Sequence, residues 1–122
     1  MKLVIDRGKW YRGLGGGSSR LRRRDGMQCC LGFLGAACEV PEKGLLDVEY
    51  PVPPRVSQIT NRASDKWPSW LFDSAGARGK KMGAFDVASH LAIVNDREGL
   101  ADREEALREI FAEHGVEVEF VG

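Results

Sequence analysis

This fold is restricted most by a run of ten residues that have no polar side chain other than a thiol. Residues 29–38 read Cys-Cys-Leu-Gly-Phe-Leu-Gly-Ala-Ala-Cys. A helix that is apolar on every side is stable only when other elements surround it. Gly32 lies three residues before Gly35 and four before Ala36, so one stripe of the helix has almost no side chain and admits a neighbouring backbone. We therefore predict that this helix is the centre of the fold.

The two ends of the chain have the pattern of strands with one buried face. Leu3 and Ile5 alternate with more polar positions near the start, and Val118 and Phe120 alternate with glutamates near the end. This period of two is typical of half-buried strands. We predict that the two strands pair antiparallel in a minor sheet.

Apolar residues recur three or four apart in two further segments, at Val87, Leu91, Val94, Leu107, Ile110 and Phe111. This spacing predicts one amphipathic helix over residues 85–95 and another that begins after Asp102 and is stopped by Gly115. Asp102 and Glu105 have the spacing of a capping box. Because 122 residues is the size of one domain, we predict a single α+β domain over residues 1–122, with two amphipathic helices and the sheet around the central helix.

Two segments show no regular period. Residues 13–19 are rich in glycine and serine, which predicts a mobile loop. Residues 41–70 contain all five prolines and are predicted to be irregular, because proline interrupts helices and central strands. Trp67 and Trp70 in this stretch either form a contact surface or simply cover the core.

The sequence favours a cytoplasmic protein with reduced thiols. Its three cysteines are an odd number and lack the spacing of a disulfide framework. No apolar run reaches the length of a membrane span, and the first residues are too short an apolar stretch for a signal peptide. We therefore predict no membrane partner.

Cys29 and Cys30 suggest an enzymatic alternative. A thiol at a helix N-terminus has a lowered pKa, as in many thiol nucleophiles. His90 as base, with Asn95 or Asp96 as its orienting partner, would complete the chain order of papain-like enzymes. The residues that flank the cysteines do not match the papain signature. Inert, buried cysteines are therefore our main interpretation, and a cysteine-dependent hydrolase or transferase is the alternative.

Neither a metal nor a cofactor is predicted. Adjacent cysteines point in different directions, and the chain has no Cys-x-x-Cys pair for zinc. The glycine-rich residues 13–19 lack the Lys-Ser or Lys-Thr ending of a phosphate-binding loop and do not match a dinucleotide fingerprint. A phosphate-transferring enzyme is therefore not expected.

Charge is distributed unevenly along a chain that is neutral overall. The first 24 residues hold eight Lys or Arg and one Asp, whereas the chain from Asp96 onward holds nine carboxylates and three Arg. This split gives the molecule a basic and an acidic face unless folding interleaves the two ends. Either outcome is compatible with the sequence.

The basic segment after the glycine-rich loop is the main candidate for binding. Guanidinium groups together with loop amides suit phosphate oxygens or an acidic protein surface, whereas the simpler alternative is a solvated charged loop. The predicted ligand- or partner-binding residues are Trp10, Arg12, Arg20, Arg22, Arg23, Arg24, Trp67 and Trp70. Nucleic-acid binding is a further alternative, with Trp10 and Tyr11 as stacking surfaces and Arg78, Lys80 and Lys81 as additional cations. Zero net charge and the acidic chain end argue against a long polyanion.

Four motifs carry a resemblance to a known group. They are Lys2-Leu3-Val4-Ile5-Asp6 with Trp10-Tyr11-Arg12-Gly13, the run from Asp25 to Phe33, Asn95-Asp96 at a helix end, and the closing Val118-Glu119-Phe120-Val121. In these motifs the chain resembles a loose group of small proteins encoded by bacteriophages, prophages and their bacterial hosts. The resemblance implies an accessory protein of a mobile element and no particular activity. We therefore expect a non-catalytic inhibitor that sequesters a host protein, such as a defence protein, or a small phosphorylated ligand.

Overall fold

The computed structural model describes residues 1–12, 20–53, 62–74, 86–96 and 102–122. The chain forms strand β1 (Lys2–Asp6), helix α1 (Cys30–Ala37), helix α2 (Val87–Asp96), helix α3 (Arg103–Ala112) and strand β2 (Glu117–Val121). Within these residues, two short 3-10 helices cover Glu42–Gly44 and Ser69–Phe72. These elements confirm the predicted α+β class. The predicted glycine-rich loop, residues 13–19, lies outside the described residues.

Helix α1 begins and ends within one residue of its predicted bounds. Leu31 and Leu34 are fully buried in the core. At Gly32, a Cβ atom would lie 1.7 Å from the backbone oxygen of Leu21, so only glycine fits there. This is the close backbone approach that the small-residue stripe predicted. Burial is not complete, however, because Ala36 and Ala37 in the last turn are exposed.

Strands β1 and β2 pair with each other, but in the parallel direction. The register runs from Lys2 opposite Glu117 to Asp6 opposite Val121. The predicted antiparallel pairing was therefore wrong. Alternation along a strand identifies its buried face and is the same for both directions, so it could not fix the direction of pairing. A parallel pair needs a long crossover, and here the chain between the two strands provides it.

The amphipathic helix α3 buries the apolar stripe that the sequence predicted. Leu107 and Phe111 are fully buried, and the chain turns after the helix at Gly115 with a φ of 76°. Asp102 precedes this helix but makes no capping hydrogen bond with its side chain, so the predicted capping box does not form. Its ψ of 26° departs from the extended backbone that a capping residue normally has.

An irregular layer of short segments lies next to α1 and holds the arginine segment, which we define as residues 20–24. Tyr11 donates its N–H to the carbonyl of Gln28, at 2.7 Å, and Arg23 donates to Met27, at 2.8 Å. On the other side, Leu21 donates its N–H to the carbonyl of Val48, at 2.7 Å. The arginine segment therefore lies between the chain near Gln28 and the chain near Val48.

Residues 41–70, predicted to be irregular, are irregular where the structure describes them. Among residues 41–53 and 62–70, the regular elements are the 3-10 helix Glu42–Gly44 and the first residues of Ser69–Phe72. An isolated bridge joins Leu46 to Arg22. This part of the chain therefore packs against one side of the arginine segment.

Candidate functional site

The two adjacent thiols are sealed inside the protein. Cys29 is 2% exposed and Cys30 is fully buried, and both cysteines are free. Burial raises the pKa of Cys29 from its ordinary value of 9.0 to about 12, and the nearby Asp96 carboxylate acts in the same direction. Burial also raises the pKa of Cys30, with Cys29 and Asp96 adding to the effect. The lowered thiol pKa on which the enzymatic alternative depended is therefore contradicted, because desolvation outweighs the helix dipole.

Asn95 joins three parts of the fold through hydrogen bonds of its side chain. It is fully buried, and its Oδ1 accepts the indole N–H of Trp10 at 2.7 Å and the backbone N–H of Cys30 at 3.0 Å. Its Nδ2 donates to the carbonyl of Tyr11 at 3.0 Å and to Asp96 Oδ1 at 2.8 Å. Because Cys29 supplies no capping side chain to α1, Asn95 caps this helix from α2.

His90, the proposed base of the enzymatic alternative, is half-buried on α2. One helical position further on, the carbonyl of Leu91 is 3.8 Å from the Cys30 sulfur, so the backbone of α2 faces that thiol. A raised thiol pKa leaves almost no thiolate near neutral pH, so the two buried cysteines are chemically inert in this arrangement.

Three predicted aromatic binding residues are used within the fold. Trp10 is 3% exposed and its ring lies 4.9 Å from that of Phe120. Trp67 is 5% exposed and packs against Gly35, where an added Cβ would lie 2.6 Å from its ring. Trp70 is half-buried and stacks on His114, with ring centroids 4.5 Å apart. The structure therefore places Trp10 and Trp67 in the core, where neither presents an open ring face.

The arginine segment presents most of its guanidinium groups on one side. Arg20 pairs with Glu49, and Arg24 Nε lies 2.9 Å from Asp47 Oδ2. Arg23 lies over the ring of Tyr11, 4.3 Å from its centroid, and pairs with Asp25 at 3.5 Å.

Arg22 and Arg12 point elsewhere. The Arg22 side chain bonds to Gln28 Oε1 at 3.2 Å, and Arg12 covers the ring of Trp10 at 4.6 Å. Of the arginines predicted for the site, the structure brings Arg20, Arg23 and Arg24 together and leaves these two apart.

These three arginines line an open cleft of about 430 Å³. Its other lining residues are Tyr11, Asp25 and Asp47. We call this the arginine cleft. Tyr11 was considered only in the nucleic-acid alternative, and Asp25 and Asp47 were not predicted for this site. Asp47 is brought there by long-range pairing between residues 20–24 and 45–48, which no local pattern shows. The turn signal Asp25-Gly26 was the available sequence clue to Asp25.

Elsewhere, basic residues from the start of the chain meet acidic residues from its end. Arg7 binds both carboxylate oxygens of Glu104, at 2.7 and 2.8 Å, and this bond lowers the pKa of Glu104. On the sheet, Lys2 Nζ lies 2.9 Å from Glu119 Oε2. Within the described residues the two ends are thus interleaved, which is the second of the two outcomes that the sequence left open.

The described residues contain no group of three or more His, Cys, Asp or Glu side chains that could hold a metal ion. Among them there is also no helix both long and apolar enough to cross a membrane. The additional cations considered for nucleic-acid binding, Arg78, Lys80 and Lys81, lie outside the described residues.

Comparison of the chain with known protein families, with curated proteins and with solved structures finds no match. The assignment of function therefore depends on the geometry of the site.

Proposed function

We propose that this chain is a non-catalytic binding protein that holds a small phosphorylated ligand in the arginine cleft. The observation that carries the proposal is the convergence of Arg20, Arg23 and Arg24 on one cleft of about 430 Å³. That volume is within the range of small-molecule sites, roughly 300–1,000 Å³. Guanidinium groups bind phosphate oxygens with charge-assisted and often bidentate hydrogen bonds.

The carboxylates that pair with the cleft arginines do not prevent such binding. In the pair of Arg20 with Glu49, the side chains are 42% and 48% exposed, and Arg24 is 85% exposed. Exposed ion pairs of this kind contribute little, roughly 0–1 kcal/mol. A phosphate group can therefore displace Glu49 or Asp47 and take over the guanidinium groups.

A binding role without turnover fits the composition of the cleft. Its described lining residues are arginines, aspartates and one tyrosine, and no histidine or cysteine is among them. The thiols of Cys29 and Cys30 are buried in the core. These observations favour sequestration of a ligand over chemistry on it.

Sequestration also suits the biological context that the sequence resemblance implies. An accessory protein of a bacteriophage or prophage would act in the cytoplasm of the host, where thiols stay reduced. Removing a phosphorylated host metabolite or signal from solution requires only a binding site. We propose this as the role of the chain. The experiments below distinguish it from binding of an acidic or phosphorylated segment of a host protein.

Calorimetric titration at low salt tests the proposal, with pyrophosphate and inorganic phosphate as probes. The expected result is saturable binding that weakens by at least about tenfold in the triple variant Arg20→Gln/Arg23→Gln/Arg24→Gln. Arg22→Gln is the matched control: it changes a neighbouring arginine whose side chain bonds to Gln28, and we expect a change of less than about twofold. Equal binding by wild type and triple variant, or no binding of either probe, would refute the assignment.

The freshly purified protein supplies an independent measurement. Mass spectrometry and ultraviolet absorbance identify a co-purifying small phosphorylated molecule, which supports the proposal. Co-purifying nucleic acid, with affinity that falls steeply as salt is added, would instead favour the nucleic-acid alternative. A co-purifying host protein that remains bound to the triple variant would place recognition outside the arginine cleft.

A further inference from the structure

The outer edge of β1 carries backbone groups that do not bond to β2. Glu117 donates its N–H to the carbonyl of Met1 at 2.9 Å, and Arg7 donates to Val121 at 2.8 Å. Backbone groups alternate in direction along a strand, so those of the odd-numbered residues of β1 face β2. The N–H and C=O groups of Lys2 and Val4 therefore point away from β2. Within the described part of the chain they have no backbone partner.

The side chains on the exposed face of β1 are arranged symmetrically. Val4, at the middle of the strand, is 47% exposed and is one of four large apolar residues at the surface of the described part of the chain. Lys2 lies two residues before it and Asp6 two residues after it, so one cation and one anion flank the valine at equal spacing. An edge with free backbone groups and an exposed apolar centre is a template for another strand.

We propose that β1 pairs antiparallel with β1 of a second copy of this chain, about a two-fold axis at Val4. In this register Val4 lies opposite Val4 of the second copy, and Lys2 lies opposite its Asp6. Each copy thus contributes one cation and one anion to two equivalent cross-strand pairs, and opposite charges at such positions stabilise an antiparallel pair. The two sheets join into one four-stranded sheet with the strand order β2-β1-β1-β2, and the interface is closed by symmetry.

The contacts that Lys2 and Asp6 already make leave both side chains able to form the proposed cross-strand pairs. Lys2 pairs with Glu119, but both side chains are about half exposed, and an ammonium group has three donors. Asp6 accepts the N–H of Gly8 through Oδ1, at 2.9 Å, so its second carboxylate oxygen can accept a bond from a lysine. The Asp6 carbonyl accepts the N–H of Lys9, at 3.0 Å, and retains a second lone pair for a strand partner.

The edge of β2 lacks complementary charges for the same pairing, because its charged residues are both glutamates. A two-fold register centred on Glu119 places that residue opposite itself, and one centred on Val118 places Glu117 opposite Glu119. Like charges directly opposite each other are destabilising. Pairing of β1 with β2 of another copy would leave free edges at both ends and would not close. Self-pairing of β1 is therefore the arrangement that combines complementary charges with closure.

Sedimentation equilibrium over a range of concentrations tests this proposal on the full chain. The expected result is a reversible dimer, with Lys2→Glu and Asp6→Lys each weakening association by at least about tenfold, because each places like charges opposite each other twice. An equimolar mixture of the two variants restores the dimer. In the mixed dimer the two substituted positions face each other with opposite charges, and the unchanged Asp6 of one chain faces the unchanged Lys2 of the other. A variant that had simply failed to fold would not be rescued by mixing.

A second pair of variants tests the central contact. Val4→Lys places two ammonium groups opposite each other and abolishes the dimer, whereas Ile93→Lys, which replaces a side chain of nearly equal exposure (48%) on α2, leaves it unchanged. The proposal is overturned if wild-type protein remains monomeric up to millimolar concentration, if Val4→Lys dimerises like wild type, or if the charge-variant mixture stays monomeric.

Discussion

Replacing Asn95 with alanine tests the view that one buried amide joins three parts of the fold. Asn95 Oδ1 accepts hydrogen bonds from the Trp10 indole, at 2.7 Å, and from the Cys30 backbone, at 3.0 Å. Both donors are buried, so Asn95→Ala leaves them without that acceptor in a place that water does not readily reach. The backbone donor also belongs to the first turn of α1, where N–H groups have no partner within the helix.

The cost follows from the two lost acceptor contacts. A buried polar group that loses its partner costs about 1–3 kcal/mol, so two donors together predict a loss of about 2–6 kcal/mol in the free energy of unfolding. Domains of this size are typically stable by only about 5–15 kcal/mol. Asn95→Ala is thus expected to lower the melting temperature strongly and to leave a marginally stable protein.

Urea unfolding followed by tryptophan fluorescence and by circular dichroism measures this loss, and a double-mutant cycle assigns it. Trp10→Phe removes one donor and retains most of the ring, so it costs less than Asn95→Ala. If the Trp10–Asn95 bond contributes as described, the combined variant loses less stability than the sum of the single variants, with a coupling of at least about 0.5 kcal/mol. A loss below about 1 kcal/mol for Asn95→Ala, or additivity within error, would contradict this account of Asn95.

Three other predictions concern the same core. Gly32→Ala should destabilise the protein by about 1–3 kcal/mol or more, because its Cβ meets the Leu21 backbone. Gly35→Ala should cost less, because its Cβ meets the side chains of Leu45 and Trp67, which can move more than a backbone can. Equal denaturation midpoints for the two variants would contradict this. Native protein treated with iodoacetamide at neutral pH should be modified first at half-buried Cys38, with Cys29 and Cys30 protected until the protein unfolds, as followed by peptide mass spectrometry. Since burial raises the pKa of Cys29 from 9.0 to about 12, the unfolded chain loses its thiol proton first, and stability should fall as pH rises through this window; a flat profile there would count against the burial of that thiol.

The elements of this fold were predictable where the sequence has a strong period. Residues 29–38 indicated the central helix, and the apolar spacing of Leu107 and Phe111 indicated α3. Both patterns reflect the spacing of residues along a helix, which can be seen in the local sequence. The close approach of another backbone to Gly32 could also be predicted, because a stripe of small residues on a buried helix leaves room for it.

The parts that could not be predicted depend on partners distant in sequence. The parallel direction of the sheet depends on the path of the chain between the strands, which no local pattern encodes. Asn95 looked like a partner for a catalytic histidine, yet it bonds to Trp10 and Cys30, which lie 85 and 65 residues away. The lowered thiol pKa considered for the enzymatic alternative rested on the helix dipole, which is local, whereas the desolvation that raises the pKa of Cys29 comes from elements distant in sequence.

Backbone contacts of Arg20 and Leu21 connect the arginine cleft to the central helix, since the N–H of Cys29 bonds to the carbonyl of Arg20 at 3.3 Å. The carbonyl of Leu21 lies against Gly32, and Leu21 lies between Arg20 and Arg22 in the chain. Because Leu21 is fully buried and its N–H bonds to Val48, the backbone that carries the cleft arginines is fixed by the core. Arg20 and Arg24 are therefore long side chains on a rigid base, so the proposed binding of an anion would cost little backbone entropy. An apolar helix without polar side chains thus fixes the backbone that carries the arginines of the proposed site.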